Sequence, residues 1–160
     1  MAVLTAVALI VFILEAQIPL PLPIPGAKLG LANTITLFAL FYNGTRAQSL
    51  TAADVFMELV CRIILGAVFT GRIIALVYSA AGGLLGFAAQ AMLKRFVTDK
   101  QIWVCGAMGA VFHNIGQILA AMVVTGTPSI AAYLPLLIIA GVSTGIVTGL
   151  VAQITIARLK

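Results

Sequence analysis

Acidic side chains are almost missing from this sequence: Glu15, Asp54, Glu58 and Asp99 are the full set, spread over 160 residues. None of them builds the D-D-x-x-D kind of cluster that holds magnesium against a diphosphate. Cysteine is nearly as rare. Cys61 and Cys105 both sit inside apolar runs without a CxxC or Cys/His spacing, so structural zinc and a disulfide scaffold are not expected, and both read as small core residues. A Gly-rich phosphate loop ending in GK[ST] is also missing, so the chain is not expected to hydrolyse ATP itself. No cofactor or metal is expected. Charged residues make up only 8 % of the chain and hydrophobic ones 62 %. A soluble domain of this size could not hide that much apolar surface, so the sequence reads as a single-domain membrane protein. The net charge of +5 would suggest nucleic acid as partner of a soluble protein; here it marks loops outside the bilayer, and no nucleic acid is expected.

Six apolar runs come close to the ~20 residues a helix needs to cross a bilayer core. They run from about Ala2 to Gln17, Leu29 to Tyr42, Ala52 to Phe69, Ile73 to Met92, Ile102 to Thr125 and Ile130 to Ala157. The first has no charged front region and no A-x-A site, which argues against a removable signal peptide. The expectation is an all-α, six-helix transmembrane bundle over residues 1–160. Placing the N-terminus inside leaves Arg46, Lys94, Arg95, Lys100, Arg158 and Lys160 on the inner loops and only Lys28 and Arg72 outside. Cations accumulate on the cytoplasmic side, so both termini are expected there.

Proline is concentrated in one stretch, Ile18 to Asn33, with Pro19, Pro21, Pro23 and Pro25 at every second position. Each ring deletes a backbone donor and clashes with the preceding turn, so no helix runs through it. Greasy residues between the prolines make it unusual for a water-exposed connector. Two readings are open: a rigid polyproline-type flap folded over one membrane face, or a stiff spacer between two spans.

Lipid gives helices no hydrophobic reason to associate, so close contacts need small residues four apart. Gly141, Gly145 and Gly149 form such a stripe in the last run, Gly82 and Gly86 in the fourth, Gly106 and Ala110 in the fifth, and Ala2 and Ala6 in the first.

Ionisable groups inside a span must face a partner or a cavity. Asp54, Glu58 and Arg62 follow one another at a spacing of one turn, on one helix face, and Glu58 with Arg62 is a candidate ion pair. The fifth run holds the densest polar group: His113 and Gln117 four apart, with Asn114 beside them. Their donors and acceptors suit a polar ligand, and they equally suit hydrogen bonds between helices. Glu15 ends the first run, and Lys28 and Asn33 open the second. A folded-back proline segment would gather these over His113, Asn114 and Gln117, with Arg72 nearby. The expected site is an outward-facing ligand pocket of Glu15, Lys28, Asn33, Glu58, Arg62, Arg72, His113, Asn114 and Gln117. Its cationic rim would favour an anionic substrate, although snorkelling to lipid headgroups also accounts for Lys28 or Arg72.

Glu15 with IPLPLPIPGAKLGLAN, then Arg62, Tyr78-Ser79 with Gly82-Gly83, Gly109-Ala110 and His113-Asn114 with Gln117 together resemble the bacterial Gx transporter family, also labelled heptaprenyl diphosphate synthase component I. The likeness covers nearly the whole chain, and the proline run followed by KLGLAN is its most specific part. That family is in turn similar to the substrate-binding S components of energy-coupling factor (ECF) vitamin transporters. The resemblance implies six helices in a bacterial cell membrane, an outer pocket closed by the loop between the first two, and an Ala-x-x-x-Ala docking stripe for a transmembrane coupling subunit. Ala2 and Ala6 would be that stripe, and partner ATPases would drive uptake of a vitamin, flavin or isoprenoid-related molecule. The family label implies the alternative of a non-catalytic accessory subunit of a prenyl synthase. Prenyl elongation itself needs the carboxylate cluster this chain lacks, so it is not expected to be an enzyme.

Overall fold

The computed structural model describes residues 2–17, 30–42, 50–71 and 73–159, and among these every regular element is helical. In chain order they are α1 (Ala2–Glu15), α2 (Asn33–Phe41), α3 (Ala52–Thr70), α4 (Ile73–Leu93), α5 (Ile102–Thr125) and α6 (Leu134–Leu159), with three-residue-per-turn segments at Asp99–Gln101 and Pro128–Tyr133. The proline run, Lys28, Arg46 and Arg72 lie outside the described residues.

Local sequence explains most boundaries. Thr51 caps α3: its hydroxyl accepts from the Asp54 amide while its own amide donates to the Asp54 carboxylate at 2.9 Å. That reciprocal pair satisfies two donors the helix start would leave open. Asp54 is thus committed to the exposed end of α3, one turn away from Glu58. Helices α3 and α5 each stop at a glycine with φ of 63°, Gly71 and Gly126, a left-handed cap other residues adopt at a cost.

Two expected boundaries shift. The second apolar run begins at Leu29, yet its helix starts only at Asn33, because Gly30 sits at φ 82° and residues 30–34 form single turns before the regular ladder begins. At nine residues, α2 is about 14 Å long, less than half a bilayer core. The last run begins as the tighter segment Pro128–Tyr133, and α6 proper starts at Leu134. Among the described residues, three stretches are long and apolar enough to cross a membrane: Leu76–Leu93, Asp99–Thr125 and Pro128–Leu159. Helix α3 has 19 residues but carries Asp54, Glu58 and Arg62, and α1 has 14. Large apolar side chains cover the outside, with Val123 83 % and Ile139 67 % exposed. Such a surface is stable in lipid and not in water, and it points to membrane association.

Helix α5 is the axis of the bundle, held between α4 and α6. Its seam with α6 is backbone on backbone: a methyl group on Gly145 would come within 2.6 Å of Ala107 Cα, and one on Gly149 within 2.6 Å of Trp103 Cα. Small residues at these positions are what allow the helices to touch. Helix α1 turns Ala8, Phe12 and Glu15 inward, the Phe12 ring resting on Gly66 of α3, and leaves Ala2 and Ala6 on its exposed side. One apolar core gathers Leu37, Leu40, Phe41, Val55, Ile102, Cys105 and Ile156, and a second gathers Tyr78, Ile118, Ala121 and Leu137. The polar residues of the candidate site lie between the two.

Candidate ligand site in a buried polar layer

Arg62 is the centre of the layer. It is 3 % exposed, half-way along α3, and its Nε lies 3.5 Å from Glu58 Oε1 one turn earlier. Its Nη2 donates to Asn33 Oδ1 at 3.1 Å, at the first turn of α2. The guanidinium carbon stands 5.9 Å from the centre of the Phe12 ring, a cation over an aromatic face. The carboxylate of Glu15 also attracts it. Two acids, an amide and a ring therefore surround one guanidinium, the arrangement a buried charge requires. The other oxygen of Glu58 accepts from Thr36 Oγ1 at 3.0 Å. Asn33 and Thr36 are three apart, so they share one face of α2.

The second half of the layer is built on α5. Gln117 Nε2 lies 2.8 Å from His113 Nε2, one turn apart. With this amide orientation Gln117 donates and the imidazole accepts, which puts the ring proton on Nδ1. The ring occupies a slot between two glycines. A Cβ on Gly82 of α4 would meet its Cε1 and Nδ1 at 2.9 Å, and a Cβ on Gly30 would meet Cδ2 at 3.2 Å. Gly30 is also the donor that binds Glu15, through its backbone amide. The first described residue after the proline run thus touches both halves of the layer, Glu15 beside Arg62 and His113 beside Gln117.

Glu15, Asn33, Glu58, Arg62, His113 and Gln117 come together from four helices. Asn114 turns elsewhere: its Nδ2 donates to the Leu137 carbonyl of α6 at 2.6 Å, on the side of α5 that faces α6. Ala2 and Ala6 lie on the exposed side of α1. Lys28 and Arg72 lie outside the described residues, so the described layer holds two carboxylates against one guanidinium. Thr36, Phe12, Gly30 and Ser79 were not picked out as site residues by the sequence alone. Thr36 had a signal in its three-residue spacing from Asn33. The buried Ser79 hydroxyl of α4 has no hydrogen-bond partner among the described residues.

With this geometry in hand, a family model described as heptaprenyl diphosphate synthase component I matches residues 4–155. The chain belongs to that family. No curated protein and no solved structure matches it. Membership in the heptaprenyl diphosphate synthase component I family extends over both halves of the polar layer, from Glu15 to Gln117, so the layer is part of the region the family model describes.

Proposed function

We propose that this chain is the substrate-binding membrane subunit of an ECF-like transporter, an S component of six helices with both termini on the cytoplasmic side of a bacterial cell membrane. It captures a small anionic or amphipathic organic molecule, related to a vitamin, a flavin or an isoprenoid, on the outer face. A transmembrane coupling subunit docking on Ala2 and Ala6, together with ATPases, supplies the energy for uptake. The observation that carries this reading is the buried layer of Glu15, Asn33, Glu58, Arg62, His113 and Gln117 inside a bundle with helices apolar enough to enter a membrane. Charged groups inside an apolar bundle are costly and by default mark a ligand or ion path. The transporter identity rests on the resemblance of the proline run and KLGLAN to that class. The proposal gives the chain no catalytic step of its own: Asp54 is half-buried in its capping pair with Thr51, Asp99 is exposed, and Glu15 and Glu58 are both drawn to Arg62.

Native mass spectrometry of gently extracted protein tests it. The wild type should retain a small organic molecule, and His113→Ala should lose it while its thermal unfolding midpoint stays near that of the wild type. A wild type that binds nothing, with a His113→Ala midpoint that falls, would leave the layer a scaffold. Separately, Ala6→Trp should abolish co-purification with a coupling subunit and ATPases without changing ligand retention. The family description favours a second reading, a non-catalytic membrane accessory of a prenyl synthase; capture of a prenyl synthase and no ATPases by the tagged chain would support it.

A further inference from the structure

On the outside of the bundle, away from the polar layer, the seam between α4 and α5 opens into a groove of about 410 Å³. Ala88 and Ala89 leave the space, and Met92, Phe96, Met108 and Phe112 wall it. No charged side chain is among its lining residues. The volume is that of a small-ligand site, and a lining of alanine, leucine, methionine and phenylalanine suits one hydrocarbon chain.

Charge at one end says what the chain is attached to. Phe96, 81 % exposed, closes the groove just beyond α4. Arg95 precedes it and Lys100 follows four residues later, both exposed, with the partly exposed Trp103 on the next turn. Aromatic and basic side chains together mark headgroup level. Lys94 is turned inward, donating to the Leu40 carbonyl and lying 5.8 Å from the Phe41 ring. Asp99 is the one acid in this turn, so the turn stays cationic with Arg95 and Lys100 directed outward.

We propose that the α4–α5 groove is a binding site for an anionic phospholipid, one acyl chain lying along Ala88 and Ala89 and the phosphate held by Arg95 and Lys100. This is independent of the transporter reading, because it uses no residue of the polar layer. The test is native mass spectrometry of protein released from nanodiscs of equimolar phosphatidylglycerol and phosphatidylcholine. The wild type should retain phosphatidylglycerol in preference to phosphatidylcholine. The double variant R95Q/K100Q changes only exposed side chains and should lose that preference by roughly fivefold per cation, about 25-fold in all. Ala88→Phe fills the groove from its exposed side and should lose the retained lipid of either kind. Equal retention of the two lipids by the wild type, or retention unchanged in both variants, overturns the proposal. So does recovery of a polyprenyl phosphate or a second copy of this chain as the groove's occupant.

Discussion

Arg62→Ala should be the most damaging single change outside the glycine seam, lowering stability by about 3–5 kcal/mol. The loss does not come from one bond. Removing the guanidinium leaves the Glu58 carboxylate buried with Thr36 as its remaining partner, leaves Asn33 Oδ1 without its donor, and takes the cation from the Phe12 ring. Buried acceptors left open are costlier than the bonds they made. The double variant Glu58→Leu, Arg62→Met separates charge from packing: it removes both ions and keeps apolar volume, so it should recover much of the loss. Thermal or denaturant unfolding in a mild detergent measures both. If Arg62→Ala unfolds at the wild-type midpoint, the ion pair is not the keystone of the layer. If the double variant is stable yet retains no ligand, the layer is present for binding.

Gly145→Ile is expected to separate α5 from α6 altogether. Even one methyl at this position would stand 2.6 Å from Ala107 Cα and from the Gly106 carbonyl oxygen, and the atoms it meets are backbone, which cannot rotate away. Overpacking of an ordinary core costs roughly 1–3 kcal/mol because side chains can shift. Here the helix itself must move, so the loss should exceed that range. It should also release the Asn114 bond to Leu137, since both sit on the same seam. Loss of a folded peak in detergent gel filtration would register it, and a variant that elutes and melts like the wild type would refute the close seam. Ser143→Ile, on an exposed part of α6, is the matching control and should cost little.

Sequence periodicity carried the bundle far. The α5 run was legible to the residue, because Asp99-Lys100-Gln101 and Gly126 fence a continuous apolar stretch. Glu58 and Arg62 were legible because charges stand out in such a background. Asn114 was placed with His113 by adjacency, yet consecutive residues on a helix point about 100° apart, and the structure gives them to different neighbours. Thr36 escaped notice since a hydroxyl among leucines barely changes local hydropathy. The short reach of α2 was hidden for the opposite reason: Leu29 to Tyr42 looks uniformly apolar, and only the backbone angle at Gly30 delays the helix. A folded-back proline segment was one reading of the sequence, but nothing local singles out Gly30 as the residue that meets both Glu15 and His113.

The axial place of α5 also bears on how such a chain is assembled. Ribosomes deliver α1, α2 and α3 first, with Glu15, Asn33 and Glu58 already present and the imidazole that completes their layer still unsynthesised. The helices long enough to span a bilayer, α4, α5 and α6, come last. Early in its biogenesis the N-terminal half therefore holds Glu15, Asn33, Glu58 and Arg62 together before the His113–Gln117 pair of α5 has been made.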